Sequence, residues 1–152
     1  MDNIIRRVVV LLSACAIECR ADGAESERQA LVALEAYAPA IELDESKPGK
    51  PVIAVRFRPN AGRVTDDDLV HLKAFPNLRS VELPNKSLIT DLGLSHLGGL
   101  ARLEELNLNG TKVSAAAVVE FVKGRTNLQR LELTGVPLQD DHLAALKDLT
   151  AL

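Results

Sequence analysis

Leucines spaced three and two apart, as in LEELNLNGTKV (Leu103 to Val113), return along this chain at a nearly constant interval. Four segments align: VIAVRFRPNAGRVTDDDLVHL from Val52, LRSVELPNKSLITDLGLSHL from Leu78, LEELNLNGTKVSAAAVVEF from Leu103 and LQRLELTGVPLQDDHLAAL from Leu128. Their starts lie 26, 25 and 25 residues apart, and a last step of 24 reaches Leu152. Each unit is apolar at its positions 1, 4 and 6. Leu103, Leu106, Leu108, Val113, Val118 and Phe121 of the third unit are answered by Leu128, Leu131, Leu133, Leu138, Leu143 and Leu146 of the fourth. A period of this length marks a stacked architecture, because no unit buries its own apolar face and neighbours join those faces into one core.

Within a unit, apolar positions 4 and 6 alternate with polar neighbours, as a short strand with one buried face requires. The spacing of Leu143, Leu146 and Leu149 puts an apolar stripe on a helix. Thr65-Asp66 and Thr90-Asp91 stand just before such helices, where a side-chain oxygen can cap free N–H groups. Pro59, Pro84 and Pro137 fall in the loops between strand and helix, where a missing N–H is expected to do no harm.

On these residues the chain resembles the leucine-rich repeat family, whose pattern LxxLxLxx(N/T)x(L/V) is followed by a helical segment. ITDLGLSHL (Ile89 to Leu97) and VTDDDLVHL (Val64 to Leu72) are similar to the subtype common in bacterial exported repeat proteins and in the ribonuclease-inhibitor-like and F-box-associated repeats. The resemblance covers Val52 to Leu152. It implies an α/β fold, a short, curved, right-handed solenoid of strand-loop-helix units over residues 52-152. There are departures. The family's Asn position, which hydrogen-bonds backbone groups between coils, reads Thr111 in the third unit and Val136 in the fourth. The hydroxyl of Thr111 is expected to do this job in part. SAAAVVEF lacks the Asp and Gly of its neighbours, and PNAGR adds residues to the first unit.

Upstream, ESERQALVALEAYA (Glu25 to Ala38) reads as a helix with Ala30, Leu31, Leu34 and Tyr37 on one face, Ser26 as N-cap and Pro39 as stop. AIEL, a turn-prone DESKPGKP and VIAVRF suggest a strand leading into the first unit. Residues 22-51 are therefore expected to form an N-terminal cap of helix plus strand. No such device follows the fourth unit, so its end is expected to continue in a longer parent or to be covered by another molecule.

Residues 1-21 look like an export signal. MDNIIRR is basic and VVVLLSACAI (Val8 to Ile17) is apolar but shorter than the roughly 20 residues of a spanning helix. LSAC (Leu12 to Cys15) resembles the lipobox of bacterial lipoproteins, which would make Cys15 the lipidation candidate and a membrane attachment point. Cleavage after Ala21 would instead give a soluble periplasmic or secreted protein, and a third reading leaves the segment uncleaved. Cys15 and Cys19 are the two cysteines of the chain, so the remainder holds no disulfide, thiolate ligand or thiol nucleophile.

Aromatic residues make up only 3% of the chain and Trp is absent, which removes most stacking surface for nucleic acid or carbohydrate. A formal charge of −3 offers no basic footprint, so no nucleic-acid partner is expected. His71 and His96 share a slot in successive units but have no evident third ligand. Solvent-side helix residues are the better reading, and His142 lies in a different slot. The acidic runs Asp66 to Asp68 and Asp140-Asp141 lack the Gly and bidentate Glu of an EF-hand, and they sit where carboxylates favour a helix start. No GxSxG, HExxH or phosphate-binding Gly-rich loop occurs. Neither catalysis nor a metal or cofactor is expected.

In a curved stack the residues pointing off the strands line the concave surface. They form three columns: Ala54, Ser80, Glu105, Arg130; then Arg56, Glu82, Asn107, Glu132; then Arg58, Pro84, Asn109, Thr134. With strands about 4.8 Å apart, Arg56 is expected to face Glu82 and Glu105 to face Arg130. Such pairs also keep a sheet surface soluble, each contributing little. The reading is a non-catalytic, exported module binding a protein or peptide through Arg56, Arg58, Ser80, Glu82, Glu105, Asn107, Asn109, Arg130, Glu132 and Thr134. Two alternatives stand: an assembly element that self-associates through its C-terminal repeat, and an intracellular adaptor resembling F-box-associated repeats.

Overall fold

The computed structural model describes residues 21–142 except 60, 62 and 86. Cys15 and the other export-signal residues up to Arg20, and Leu143, Leu146 and Leu149, lie outside the described residues. The chain is mixed α/β. Helix α1 (Ala21–Leu34) runs into a 3-10 turn (Glu35–Tyr37) and strand β1 (Ala40–Leu43). There follow β2 (Val52–Arg56), α2 (Asp66–Val70), β3 (Ser80–Glu82), α3 (Asp91–His96), β4 (Glu105–Asn107), α4 (Ala115–Val122) and β5 (Arg130–Glu132). The sheet has the order β1-β2-β3-β4-β5. Strand β1 pairs antiparallel with β2, and β2 to β5 are parallel neighbours.

Each strand is short because only a few residues per unit alternate. The central position, Val55, Val81, Leu106 and Leu131, pairs in register across four strands. Other slots recur in the same way. Leu78, Leu103 and Leu128 precede the strands, Phe57, Leu83 and Leu108 follow them, and Val64, Ile89 and Val113 precede the helices; all are buried. Leu69, Leu94 and Val118 fill one helix slot, and Leu72, Leu97 and Val122 another. Full burial of such a side chain is worth about 1.5–3 kcal/mol, and no single unit supplies the neighbours needed to achieve it.

The first unit is covered from both sides. Helix α1 packs on the 3-10 turn His71–Ala74, and β1 takes the free edge of β2. Ala30, Leu31 and Leu34 are buried as the periodicity predicts, while Tyr37 is half-buried, edge-on to Phe57 at 6.0 Å between ring centroids. Ser26 is not the N-cap: the helix already includes Ala21 to Glu25. It yields to the 3-10 turn just before Pro39, where the residue preceding proline disfavours helix.

Successive units are joined by more than the strand ladder. Leu88 N–H donates to the Val64 carbonyl at 3.0 Å and Lys112 N–H to the Ile89 carbonyl at 2.8 Å, a second backbone seam on the loop side. Pro137 occupies the equivalent place in the fourth unit, so, contrary to the expectation that proline in these loops does no harm, its missing N–H removes this link. On the helix side a carboxylate crosses between units. Asp66 accepts from the Thr90 N–H at 2.8 Å and the Thr90 hydroxyl at 2.6 Å, and Asp91 accepts from the Ser114 N–H at 2.6 Å and hydroxyl at 2.8 Å. Helix-start acids therefore serve two helices at once: they lie at one N-terminus and complete the next unit's cap. Thr111 does not link units; its hydroxyl donates to the Leu108 carbonyl of its own unit at 2.8 Å. Asn109 makes that connection instead, accepting from Thr134 N–H at 2.7 Å.

The carboxylate of Asp66 lies in the space that a Cβ on Gly93 would fill, and Ile89 Cγ2 would stand 3.0 Å from that Cβ. We expect Gly93→Ala to destabilise the protein by about 1–3 kcal/mol, despite alanine's better helix propensity. In an Asp66→Ala background the same substitution should cost less than half as much. Urea unfolding of the four proteins in this cycle checks it; equal costs in both backgrounds would show that Asp66 is not the obstacle.

Candidate functional site

The strand register assembles the outer face of the sheet. Ala54, Ser80, Glu105 and Arg130 are successive partners, and so are Arg56, Glu82, Asn107 and Glu132. Two of the three columns read from the sequence are thus neighbours across the strands. Seven of the ten candidate residues, Arg56, Ser80, Glu82, Glu105, Asn107, Arg130 and Glu132, line one shallow hollow of about 350 Å³ on this face. Arg58, Asn109 and Thr134 lie beyond the strand ends and outside that lining.

Ser80 departs from expectation. It is only 9% exposed, and its hydroxyl donates to Glu105 Oε2 at 3.0 Å. A short side chain between longer ones lies at the floor of the hollow, where it orients Glu105 and offers a partner little surface. Ala54 in the same column is buried as well.

The remaining side chains form a linked polar net. Arg56 faces Glu82 as expected, its guanidinium 4.0 Å from that carboxylate, and it also donates at 2.9 Å to Glu42 of β1. The antiparallel strand supplies the nearer acid, a neighbour invisible to alignment of the repeats. Arg130 lies 3.8 Å from Glu105, as expected. Glu132 Oε2 accepts from Asn107 Nδ2 and Asn109 Nδ2, each at 2.8 Å, while Asn107 Oδ1 accepts from the Asn109 N–H at 2.9 Å. Asn109 is thereby engaged in joining β4 to β5 and is less available than its column position suggested. Donors on this face are largely committed within the net, whereas the Glu82 carboxylate, among the described residues, keeps only its distant contact with Arg56.

The helix side holds a larger hollow of about 540 Å³ between α3 and α4, and it centres on a residue the sequence reading passed over. Arg125 Nε donates to the Phe121 carbonyl at 2.8 Å, Nη1 to Leu100 at 3.0 Å, and Nη2 to Gly98 at 2.8 Å and Leu97 at 3.2 Å. Its guanidinium carbon also lies 3.9 Å from the centroid of the Phe121 ring. One cation thus caps the carbonyl ends of two helical segments, where the helix dipole favours positive charge. The signal was present: Arg125 stands 25 residues after Leu100, which stands 25 after Phe75, both buried. An arginine in an apolar slot needs partners, and the helix ends provide them. With its donors on backbone carbonyls, it offers this hollow no free charge for a ligand.

His71 and His96 are half-buried at the ends of α2 and α3. Among the described residues no three His, Cys, Asp or Glu side chains stand together as a metal-binding set, and no helix is long and apolar enough to cross a membrane. His142 has a local task, its Nδ1 accepting from the Gln139 N–H at 3.1 Å.

The shifted titrations lie away from the sheet hollow. Burial raises the Tyr37 phenol, with a further contribution from the neighbouring Asp68 carboxylate, and burial lowers Arg125. The Ser46 hydroxyl, then Lys47, lowers Asp44. Burial raises Glu27 on α1. Comparison with known proteins gives no matching family model and no matching curated protein.

Two outcomes follow. Arg125→Ala should lower unfolding free energy by about 2 kcal/mol through loss of charge-assisted bonds, and Arg125→Lys should recover less than half of it, since an ammonium cannot reproduce the fork; chemical denaturation measures both. Glu27 keeps its proton to higher pH folded than unfolded, so its ionisation opposes folding as pH rises through its folded value. Glu27→Gln should therefore raise the urea midpoint at about pH 7.5 and leave it unchanged at about pH 3, where both side chains are neutral.

Proposed function

We propose that this chain is a leucine-rich repeat solenoid, exported from the cytoplasm, that binds a protein or peptide across its sheet face without catalysis. The observation that carries the reading is the register: residues at equivalent places in four units become neighbours on one face, seven of them around a single hollow. The 25-residue step, the parallel strands and the recurrence of the same buried slots support the repeat assignment. A basic start followed by an apolar run supports export, with Cys15 the residue that would carry lipid. In a solenoid the inner faces of successive strands merge into one extended surface, suited to a partner longer than any single unit.

The chemistry of that face sets the terms of recognition. The guanidinium groups of Arg56 and Arg130 are engaged with Glu42 and Glu105, and the amide donors of Asn107 and Asn109 with Glu132. A partner that brings donors, and replaces some of these internal contacts, fits better than one that brings acceptors. Few aromatics line the hollow, so the interface is polar and its affinity falls as salt rises.

A photo-crosslinking side chain placed at Glu82 or Asn107 should yield a defined adduct in cells that make the protein, and the same group at Lys73 on the helix side should not. Binding of the captured partner should weaken about tenfold in the double reversal Arg56→Glu, Glu132→Lys. Adducts from Lys73 alone, or undiminished binding after the reversal, would remove the sheet face from consideration.

A further inference from the structure

We infer that Asn109 and Gly110 form a latent modification site, a deamidating pair whose reaction the folded chain suppresses. Asn109 is the one asparagine of the sequence that a glycine follows. Glycine has no Cβ to shield its nitrogen, so in an unfolded chain that nitrogen readily reaches the preceding side-chain amide. The Gly110 nitrogen gives its proton to solvent and attacks Asn109 Cγ; a C–N bond forms, and the Cγ–Nδ2 bond breaks with release of ammonia. Water then adds to one carbonyl of the cyclic imide. Opening one way gives aspartate. Opening the other way gives isoaspartate, with the main chain rerouted through Cβ and Cγ.

In the folded chain each reacting group is occupied. Asn109 Oδ1 accepts from the Thr134 N–H at 2.7 Å, and Nδ2 donates to Glu132 Oε2 at 2.8 Å. Both ends of the amide are thus held by the next unit. The nucleophile, the Gly110 nitrogen, donates its N–H to the Thr134 carbonyl at 2.9 Å. The Asn109 N–H is fixed as well, on Asn107 Oδ1 at 2.9 Å. Ring closure requires the amide to leave Glu132 and Thr134 and the Gly110 N–H to leave its carbonyl, so three hydrogen bonds are given up before a covalent bond is made.

The turn calls for both members of the pair. Gly110 has φ 68°, in the left-handed region where a Cβ brings strain. Asn109 presents an acceptor and a donor on one short side chain, whereas an ionised aspartate has no donor. The products therefore fit poorly. Aspartate at position 109 sets a second carboxylate against Glu132, and isoaspartate lengthens the main chain between β4 and Gly110. Time spent unfolded leaves a permanent mark at this junction.

Mass spectrometry of the whole chain, incubated at mildly alkaline pH either folded or in urea, tests this. Loss of ammonia and gain of water add one mass unit, and trypsin releases the pair in the peptide Leu103–Lys112. Conversion at Asn109 should run about a hundredfold slower folded than in urea, while Asn107 in the same peptide stays unconverted. Glu132→Ala, which frees Nδ2, should speed the folded reaction about tenfold, and Glu132→Gln, which keeps an acceptor, should restore most of the protection. Equal rates folded and in urea, preferential conversion at another asparagine, or a folded Glu132→Ala protein that reacts no faster would each overturn the inference. If Glu132→Ala does not fold, the ratio of folded to urea rates in the unsubstituted chain decides.

Discussion

A strand of three residues has no stability alone, and each unit of this chain depends on main-chain hydrogen bonds with its neighbours. Parallel pairing in sequence order forces the same residue position of each unit into one column. Leucine or valine in that column then becomes core, and the polar residues beside it become surface. The buried slots before the strand, after it and along the helix all inherit their environment from this pairing. Helix α1 and strand β1 matter for the same reason, since they supply the first unit with the contacts that later units obtain from one another.

Stacking creates a polar problem that the chain solves in two ways. Every helix start leaves N–H groups without intrahelical acceptors. Inner units have them met by an acid of the preceding unit, which binds the stack together laterally. The first and fourth units meet theirs from within, through Asp68 and His142. Single residues such as Asp66 and Asp91 supply the acceptor that crosses to the next unit. Arg125 is a further variation, exchanging an apolar slot for bonds to the carbonyl ends of neighbouring helical segments.

The outer sheet face is where the proposed binding function resides, and its character follows from the same geometry. Long side chains at equivalent places come within reach of one another and settle their charges locally, so the face is a net of mutual contacts. Ser80 and Asn109 show the consequence: one is sunk beneath its neighbours, the other is drawn into joining two strands.

Repetition made most of this legible in the sequence. Because equivalent residues recur at a constant interval, Val55, Val81, Leu106 and Leu131 could be aligned before any coordinate, and with them the columns of the outer face. The helix of residues 30–34 and the hairpin into β2 were readable from periodicity and turn residues. What repetition hides is any contact between positions that are not equivalent. The pairing of Arg56 with Glu42 arises from an antiparallel strand outside the repeat. The anchoring of Arg125 depends on where two helical segments end. The reach of Asp66 and Asp91 into the next unit's cap required the distance between helices, and the burial of Ser80 required the lengths of its neighbours. Sequence by itself determined which residues are equivalent and which are apolar, since these are properties of the chain; tertiary structure decided which polar groups meet, since that depends on how closely the units approach.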